Sequence, residues 1–437
     1  MNIVPFLQIC YFISIRLLLK VIWRNWMKIA GIIAEYNPFH NGHKYHIEQT
    51  RKITGADFII VVMSGNFTQR GTPAIMNKYL RARMALENGA DMVLELPSCY
   101  ACGSAEYFAD GAIALLDKLG CVDYVCFGSE CGDIEQLRPI AEILATEPDD
   151  YREMLKAELK NGATFPRARN RALIHCIPSF AENENIIGSP NNILGIEYMK
   201  SIIRRQSSIK PVTIQRTGSD YHSQRFSQQY SSSLALRHSL DVQGDLNMLR
   251  GQVPENVFSI LEENIGKTYP VFPRDFSAML KYKLLVEESN GYTGFVDVSE
   301  DLSDRILKVL YQPYDYEQMC DILKTKNLTY ARVSRLLCHI LLNLRKEDMD
   351  DYKSAGSIFY ARVLGFRDDE RRLLKIVQQT SSIPLITKVT DGRNIESEIG
   401  RKQFERDILA SHIYESVAST KYNCPMQNEY QRPVITL

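Results

Sequence analysis

The sequence shows no excess of charge of either sign: 52 Lys and Arg residues stand against 52 Asp and Glu, a formal net charge of +0. A neutral total excludes blanket attraction to nucleic acid, so any RNA contact has to come from a local basic patch. Dense cysteine spacing is also missing. The ten cysteines are scattered, which excludes a secreted disulfide scaffold and points to reduced thiols in a cytosolic protein. Cys99-x2-Cys102 and the run Cys121, Cys126, Cys131 could be drawn as a thiolate metal site. Cys126, however, lies in the apolar run Tyr124-Val125-Cys126-Phe127, the pattern of a buried strand, and a spacing of five sends neighbours to opposite faces. Structural cysteines are therefore expected, and no residue is assigned to a metal. No uncharged apolar run reaches the roughly 20 residues of a spanning helix. Residues 1–26 are apolar but interrupted by Arg16, Lys20 and Arg24, with no small-residue cleavage site behind them. They read as an extension outside the fold, and the protein is expected to be cytoplasmic without stable membrane association. Tandem repeats and low-complexity tracts are lacking too.

What is present is the composition of a globular enzyme, with 45% apolar and 24% charged residues, and a 437-residue chain long enough for two or three domains. From Met27 onward, strand and helix patterns alternate. The apolar runs Lys28 to Ala34, Ala56 to Met63, Met92 to Leu96 and Asp123 to Phe127 have strand length, and the first two run through a loop into a helical stretch. Repeated βα units imply a parallel sheet with helices on both faces, and ligands at the carboxyl ends of its strands. The Asn-, Gly- and Pro-rich stretch Asn183 to Asn192 reads as a loop ahead of a helix over Ile193 to Arg205, and Pro211 to Gln215 as a late strand. Beyond the serines near Ser231 the pattern turns mostly helical, around Phe276 to Val286, Ile306 to Leu310 and Thr329 to Leu344. The expectation is thus an α/β chain: a Rossmann-like, parallel-sheet nucleotide-binding domain over residues 27–240, then a mostly α-helical domain over residues 241–437.

The chemistry concentrates just behind the first strand, in Glu35-Tyr36-Asn37-Pro38-Phe39-His40-Asn41-Gly42-His43, with the helical segment His43 to Ile53 following. Pro38 stiffens this loop and Gly42 allows a tight turn into the helix. A helix amino terminus aimed at a strand's carboxyl end offers backbone N–H groups and about half a unit of positive charge, which favours phosphate. His40 and His43, three apart, can converge on that anion as hydrogen-bond donors, with a protonation state tunable near neutral pH. Displacement at the α-phosphorus of ATP needs little more than alignment and donors where negative charge develops. Zinc is the alternative for the three histidines 40, 43 and 46, but no acidic or thiol ligand follows at a usual spacing.

The run Gly31 to His43 resembles the nucleotidyltransferase superfamily that carries the H-x-G-H signature, and more narrowly is similar to the bacterial tRNA(Met) cytidine acetate ligases. The likeness continues through Met63-Ser64-Gly65-Asn66-Phe67-Thr68-Gln69-Arg70-Gly71, Leu94-Glu95-Leu96-Pro97, Phe127-Gly128-Ser129-Glu130, Ser189-Pro190-Asn191-Asn192-Ile193-Leu194 and Tyr360-Ala361-Arg362-Val363-Leu364-Gly365-Phe366. It spans nearly everything from Met27 on. The resemblance implies that acetate attacks ATP, giving acetyl-adenylate and pyrophosphate, and that N4 of the wobble cytidine of elongator tRNA(Met) then takes the acetyl group. It implies His40 and His43 as catalytic residues. The nucleotide would be wrapped by Ile33-Ala34-Glu35-Tyr36-Asn37-Pro38-Phe39-His40-Asn41-Gly42-His43-Lys44-Tyr45-His46, with Gly128, Asn191, Arg216 and Thr217 completing the ATP pocket. ATP is a substrate here, and a divalent cation such as Mg²⁺ beside it is neither required nor excluded by the sequence. One departure stands out. The superfamily's second signature resembles Ser-Ser-Thr-x-Ile-Arg, and the nearest segment is Ser232-Ser233-Leu234-Ala235-Leu236-Arg237, in which Leu234 replaces a hydroxyl residue. A plain helix start capped by serine accounts for the same residues.

For the RNA, the helical half offers Lys324, Lys326, Tyr330, Arg332 and Arg335, a basic and aromatic cluster suited to phosphates and a stacked base. Arg167, Arg169 and Arg171 form a second cluster, and either set also fits ordinary solvated surface. Two other functions compete: adenylyl transfer to a phosphorylated metabolite, which gives the helical half no task, and RNA binding by a fold that no longer catalyses, which leaves His40 and His43 without a purpose.

Overall fold

The computed structural model describes residues 27–178, 180, 184–216, 232–242 and 244–437. Residues 1–26 and Thr217 lie outside that set. The β-branched and aliphatic runs form strands β1 (Ile29–Ala34), β2 (Phe58–Ser64), β3 (Met92–Leu96), β4 (Tyr124–Ser129) and β5 (Lys210–Gln215). These five are mutually parallel and stand in the order β5-β4-β1-β2-β3. Such an order reverses direction between β1 and β4, which opens a crevice at their carboxyl ends.

The helices that bear on that crevice are α1 (Asn41–Thr54), α2 (Lys78–Leu86), α3 (Ala105–Lys118), α4 (Pro190–Arg204), α5 (Ser233–Val242), α6 (Tyr330–Leu341) and α7 (Glu398–Tyr422). Side-chain alternation along β1 divides the core. Ala30 and Ile32 face one apolar cluster with Ile47 of α1, while Ile29 faces another with Leu116 of α3 and Met199 of α4. Both faces are covered, as a parallel sheet requires.

The C-terminal half is mostly helical, and it also returns to the sheet. Strand β6 (Ala361–Phe366) pairs antiparallel with β3, and β7 (Leu385–Ile386) and β8 (Ile435–Thr436) pair parallel with opposite ends of β6. Nothing in the helical periodicity after residue 240 announces that return. The stretch expected to be a loop at 183–192 is helical from Glu184 to Gly188, and α4 begins at Pro190 rather than Ile193. The reason is capping. Pro190 occupies the first turn, and the Glu130 carboxylate accepts from the backbone N–H of Asn191 at 3.2 Å and of Asn192 at 2.8 Å.

Candidate active site

At the β1/β4 crevice lies a cavity of about 190 Å³ lined by residues from eight segments. Ile33, Ala34, Glu35 and Tyr36 come from the end of β1, and His40, His43 and His46 from the first turns of α1. Gly128 and Arg216 come from the ends of β4 and β5, Asn191 from α4, and Ser232, Ser233, Leu234 and Arg237 from the start of α5. Of the residues singled out in the sequence, these are brought together. Asn37, Pro38, Phe39, Asn41, Gly42, Lys44 and Tyr45 do not line the cavity. Several of them build its frame. The Asn37 side chain accepts from the Ile75 N–H at 2.9 Å, Phe39 is fully buried, and Asn41 donates to the Gly251 carbonyl at 2.8 Å.

His40 is the residue that caps α1. Its Nδ1 accepts from the Gly42 N–H at 3.1 Å, and His43 Nδ1 in turn accepts from the His40 N–H at 3.3 Å. Both Nδ1 atoms are therefore acceptors, which leaves the proton of each neutral ring on Nε2. The rings stack with centroids 3.7 Å apart, and Tyr36 packs edge-on against His43 at 4.8 Å. Two Nε2–H donors are thus held side by side. Burial, helped by the positive charges of Arg216 and Arg237, pushes the His40 imidazole down to about 3. Burial and then Arg216 push His46 down to about 4, and burial with the neighbouring histidines and Arg216 holds His43 well below its usual value. The site accordingly keeps three neutral imidazoles at neutral pH, so the tunable protonation expected from the sequence is displaced far into acid. The first-turn backbone donors differ from expectation as well. Asn41 N–H is taken by the Gln252 carbonyl at 3.0 Å and Gly42 N–H by His40, so an anion here meets imidazole and guanidinium donors rather than free backbone.

On the opposite wall, Arg216 lies across Gly128. A methyl group on Gly128 would sit 3.1 Å from Arg216 Cγ, so glycine gives the guanidinium stem its path. Arg237 donates to the Asn37 carbonyl at 2.6 Å, which ties α5 to the histidine loop. Ser232 Oγ accepts from the Ala235 N–H at 3.1 Å and so caps α5 while lining the cavity. Capping therefore leaves that serine at the cavity wall. Asn191 Nδ2 donates to Glu130 at 2.7 Å, which fixes its side-chain direction. Two buried polar atoms in the cavity lining, the Tyr36 hydroxyl and His46 Nε2, have no hydrogen-bond partner among the described residues. Buried polar groups are rarely left so, and both atoms are open to a ligand or an ordered water.

Sequence reasoning missed several residues. Gln69 and Arg70, from the loop after β2, and Phe108, Phe127, Leu194 and Tyr198 also line the cavity. Phe108 and Tyr198 arrive through the packing of α3 against α4, which no local spacing reports. Arg81 is wholly buried, donates to the carbonyls of Glu35 at 2.6 Å and Ser64 at 3.1 Å, and also reaches Gly65 and Met76. It holds the ends of β1 and β2 in register with the loop that carries the histidines. Elsewhere, Lys324, Lys326 and Arg332 are exposed on the helical half and Arg335 is half-buried, with Lys324 paired to Asp321. In the second basic cluster, Arg169 pairs with buried Glu197 at 2.8 Å and Arg171 with Glu158 at 2.5 Å, so most of its charge is already answered. Cys99, Cys102, Cys121 and Cys126 are buried thiols. Among the described residues no group of three or more His, Cys, Asp or Glu is placed to hold a metal ion, and no helix is long and apolar enough to cross a membrane.

The chain matches the HIGH Nucleotidyl Transferase family over residues 27–429. It is 42% identical to the tRNA(Met) cytidine acetate ligase of Acetivibrio thermocellus over 392 residues, covering 89% of this chain and 94% of that protein. Against the enzyme of the same name from Clostridium novyi the identity is 40% over 391 residues, covering 90% and 96%. The crystal structure of Thermotoga maritima TmcAL in its apo form superposes with a TM-score of 0.88 at 33% identity, covering 94% of this chain and 100% of that one. The same protein bound with alpha-thio ATP gives a TM-score of 0.86 at 32% identity, covering 94% and 100%. With relatives this similar across almost its whole described length, and with the histidine loop built into a β1/β4 crevice, the chain belongs to the tRNA(Met) cytidine acetate ligases within the HIGH nucleotidyl transferases.

Proposed function

We propose that this chain uses ATP to activate acetate as acetyl-adenylate and transfers the acetyl group to N4 of the wobble cytidine of elongator tRNA(Met), forming N4-acetylcytidine. The single observation that supports this most is the pair of Nε2–H donors on His40 and His43, facing the same cavity as Arg216 and Arg237. In the first step an acetate oxygen bonds to the α-phosphorus while the bond to the leaving pyrophosphate breaks. Negative charge grows on the phosphate oxygens, where neutral imidazole donors and guanidinium forks stabilise it without proton transfer. In the second step the N4 amine bonds to the acetyl carbonyl carbon, the bond to the AMP oxygen breaks, and the amine loses a proton as AMP leaves.

Within this reading His40 and His43 are the catalytic residues. The ATP site comprises the segment 33–46 with Gly128, Asn191, Arg216 and Thr217, and residues 27–240 carry the nucleotide chemistry. Residues 241–437 hold the RNA, with Lys324, Lys326, Tyr330, Arg332 and Arg335 on the contact surface. Acetate-dependent exchange of labelled pyrophosphate into ATP, measured without RNA, tests the first step. The reading predicts exchange that requires acetate. Exchange that responds instead to a phosphorylated metabolite would replace acetate in the scheme, and absence of exchange with any acid would overturn it.

A further inference from the structure

The loop after β2 joins the two halves of the scheme. Gln69 and Arg70 line the cavity, and the Gln69 N–H donates to the Glu35 carboxylate at 2.7 Å, which ties them to the end of β1. The next residue, Gly71, is seated on α6. Its carbonyl accepts from the Tyr316 hydroxyl at 3.1 Å and the Ser334 hydroxyl at 3.0 Å, both buried. Its φ is +70°, and a methyl group there would lie 2.3 Å from the Cα of Arg335, so the two backbones touch and only glycine fits. One residue of chain therefore separates the cavity lining from the helix that carries Arg332 and Arg335.

Arg335 Nε is buried and lacks a hydrogen-bond partner among the described residues. Burial disfavours its charge, the carboxylate of Asp297 partly offsets that, and nearby Arg332 disfavours it further. Two guanidinium groups three residues apart on α6, with one partial counter-charge, on the helix that touches the residue next to the cavity lining, form a place for a phosphate.

Resting on the reading of the chain as an RNA acetylating ligase, we infer that the arm Gln69-Arg70-Gly71 is the acceptor-side wall of the pocket. Arg335 and Arg332 hold a backbone phosphate of the RNA whose base reaches the adenylate. The seat of Gly71 on α6 fixes the span between that phosphate and the reacting carbon.

The experiment compares two rates in the full chain: acetate-dependent ATP–pyrophosphate exchange without RNA, and acetyl transfer to purified elongator tRNA(Met). Arg335→Gln is expected to lower the ratio of transfer to exchange at least tenfold and to reduce the salt dependence of the KM for tRNA by about one phosphate contact. Arg335→Lys, which keeps the charge, recovers most of the ratio. Arg332→Gln changes an exposed residue that the fold does not need, and lowers the ratio in the same direction. A wild-type ratio in both glutamine variants, or exchange and transfer falling in step, overturns the inference. If the wild type shows no acetate-dependent exchange, the underlying function fails instead. Filter binding of tRNA at several salt concentrations then still decides the phosphate contact, because unchanged slopes in both variants would refute it.

Discussion

At His40, one imidazole both caps a helix and presents a donor to the cavity, because its Nδ1 is committed to the Gly42 N–H. On the proposed mechanism, removing it or His43 deletes a transition-state donor. His40→Ala and His43→Ala are each expected to slow acetate-dependent pyrophosphate exchange by about 10²-fold. Near wild-type exchange in either variant would remove that histidine from the mechanism. The same burial has a consequence for stability. An unfolded histidine binds a proton near pH 6.5, whereas His40 and His46 in the folded chain resist it down to about 3 and about 4. As pH falls below 6.5 the unfolded state gains protons that the folded state does not, so stability rises with pH across that window. The slope is about 1.4 kcal/mol per pH unit for each such group. Urea unfolding between pH 4 and pH 7 measures it, and His46→Gln should flatten the slope by one histidine's share. These residues were legible in the sequence because a strand, a proline-stiffened loop and a helix start are all local. Their protonation state was not, since it depends first on burial beneath segments that fold in from far along the chain and then on Arg216, with Arg237 adding to it at His40.

On the level of elements, β1 and β4 place the site and the helices decorate it. The alternating apolar runs located β1 to β5 to within about two residues, because a strand buried on both faces leaves a continuous hydrophobic record. The segment 183–192 misled for an equally physical reason: Pro190 and Asn191 are turn formers in isolation and helix starters when a carboxylate such as Glu130 caps them. At the end of β4, Gly128 is needed for space rather than for its backbone angle. Gly128→Val crowds the Arg216 side chain, whose Cγ lies 3.1 Å from where a Cβ would sit, and is expected to raise the KM for ATP about tenfold, a loss of about 1.4 kcal/mol. An unchanged KM would show that Arg216 takes no part in nucleotide binding.

Across the whole molecule the two halves are joined by a buried charge cluster that no sequence window contains. Lys78 of α2 bonds Glu95 of β3 at 2.8 Å and Ser411 of α7 at 2.8 Å. Arg362 of β6 bonds Glu429 at 2.6 Å. Tyr79 reaches Glu429 across 350 residues of chain. Two cations and two carboxylates balance there, so removing one leaves an unanswered buried charge. Lys78→Met is expected to cost about 3–5 kcal/mol in denaturant unfolding, and a loss below about 1 kcal/mol would mean the cluster does not hold β6 and α7 to the sheet. The strand return at β6 was invisible for the same reason as this cluster: pairing partners so distant in sequence leave no periodicity to read. The account as a whole rests on the RNA end of the reaction, which His40 and His43 do not specify. Incubation of the protein with ATP, radiolabelled acetate and bulk bacterial tRNA, followed by digestion to nucleosides, tests it most directly. The account predicts label in N4-acetylcytidine derived from elongator tRNA(Met), dependent on ATP and lost in His40→Ala; label that forms acetyl-adenylate but never enters RNA would contradict it.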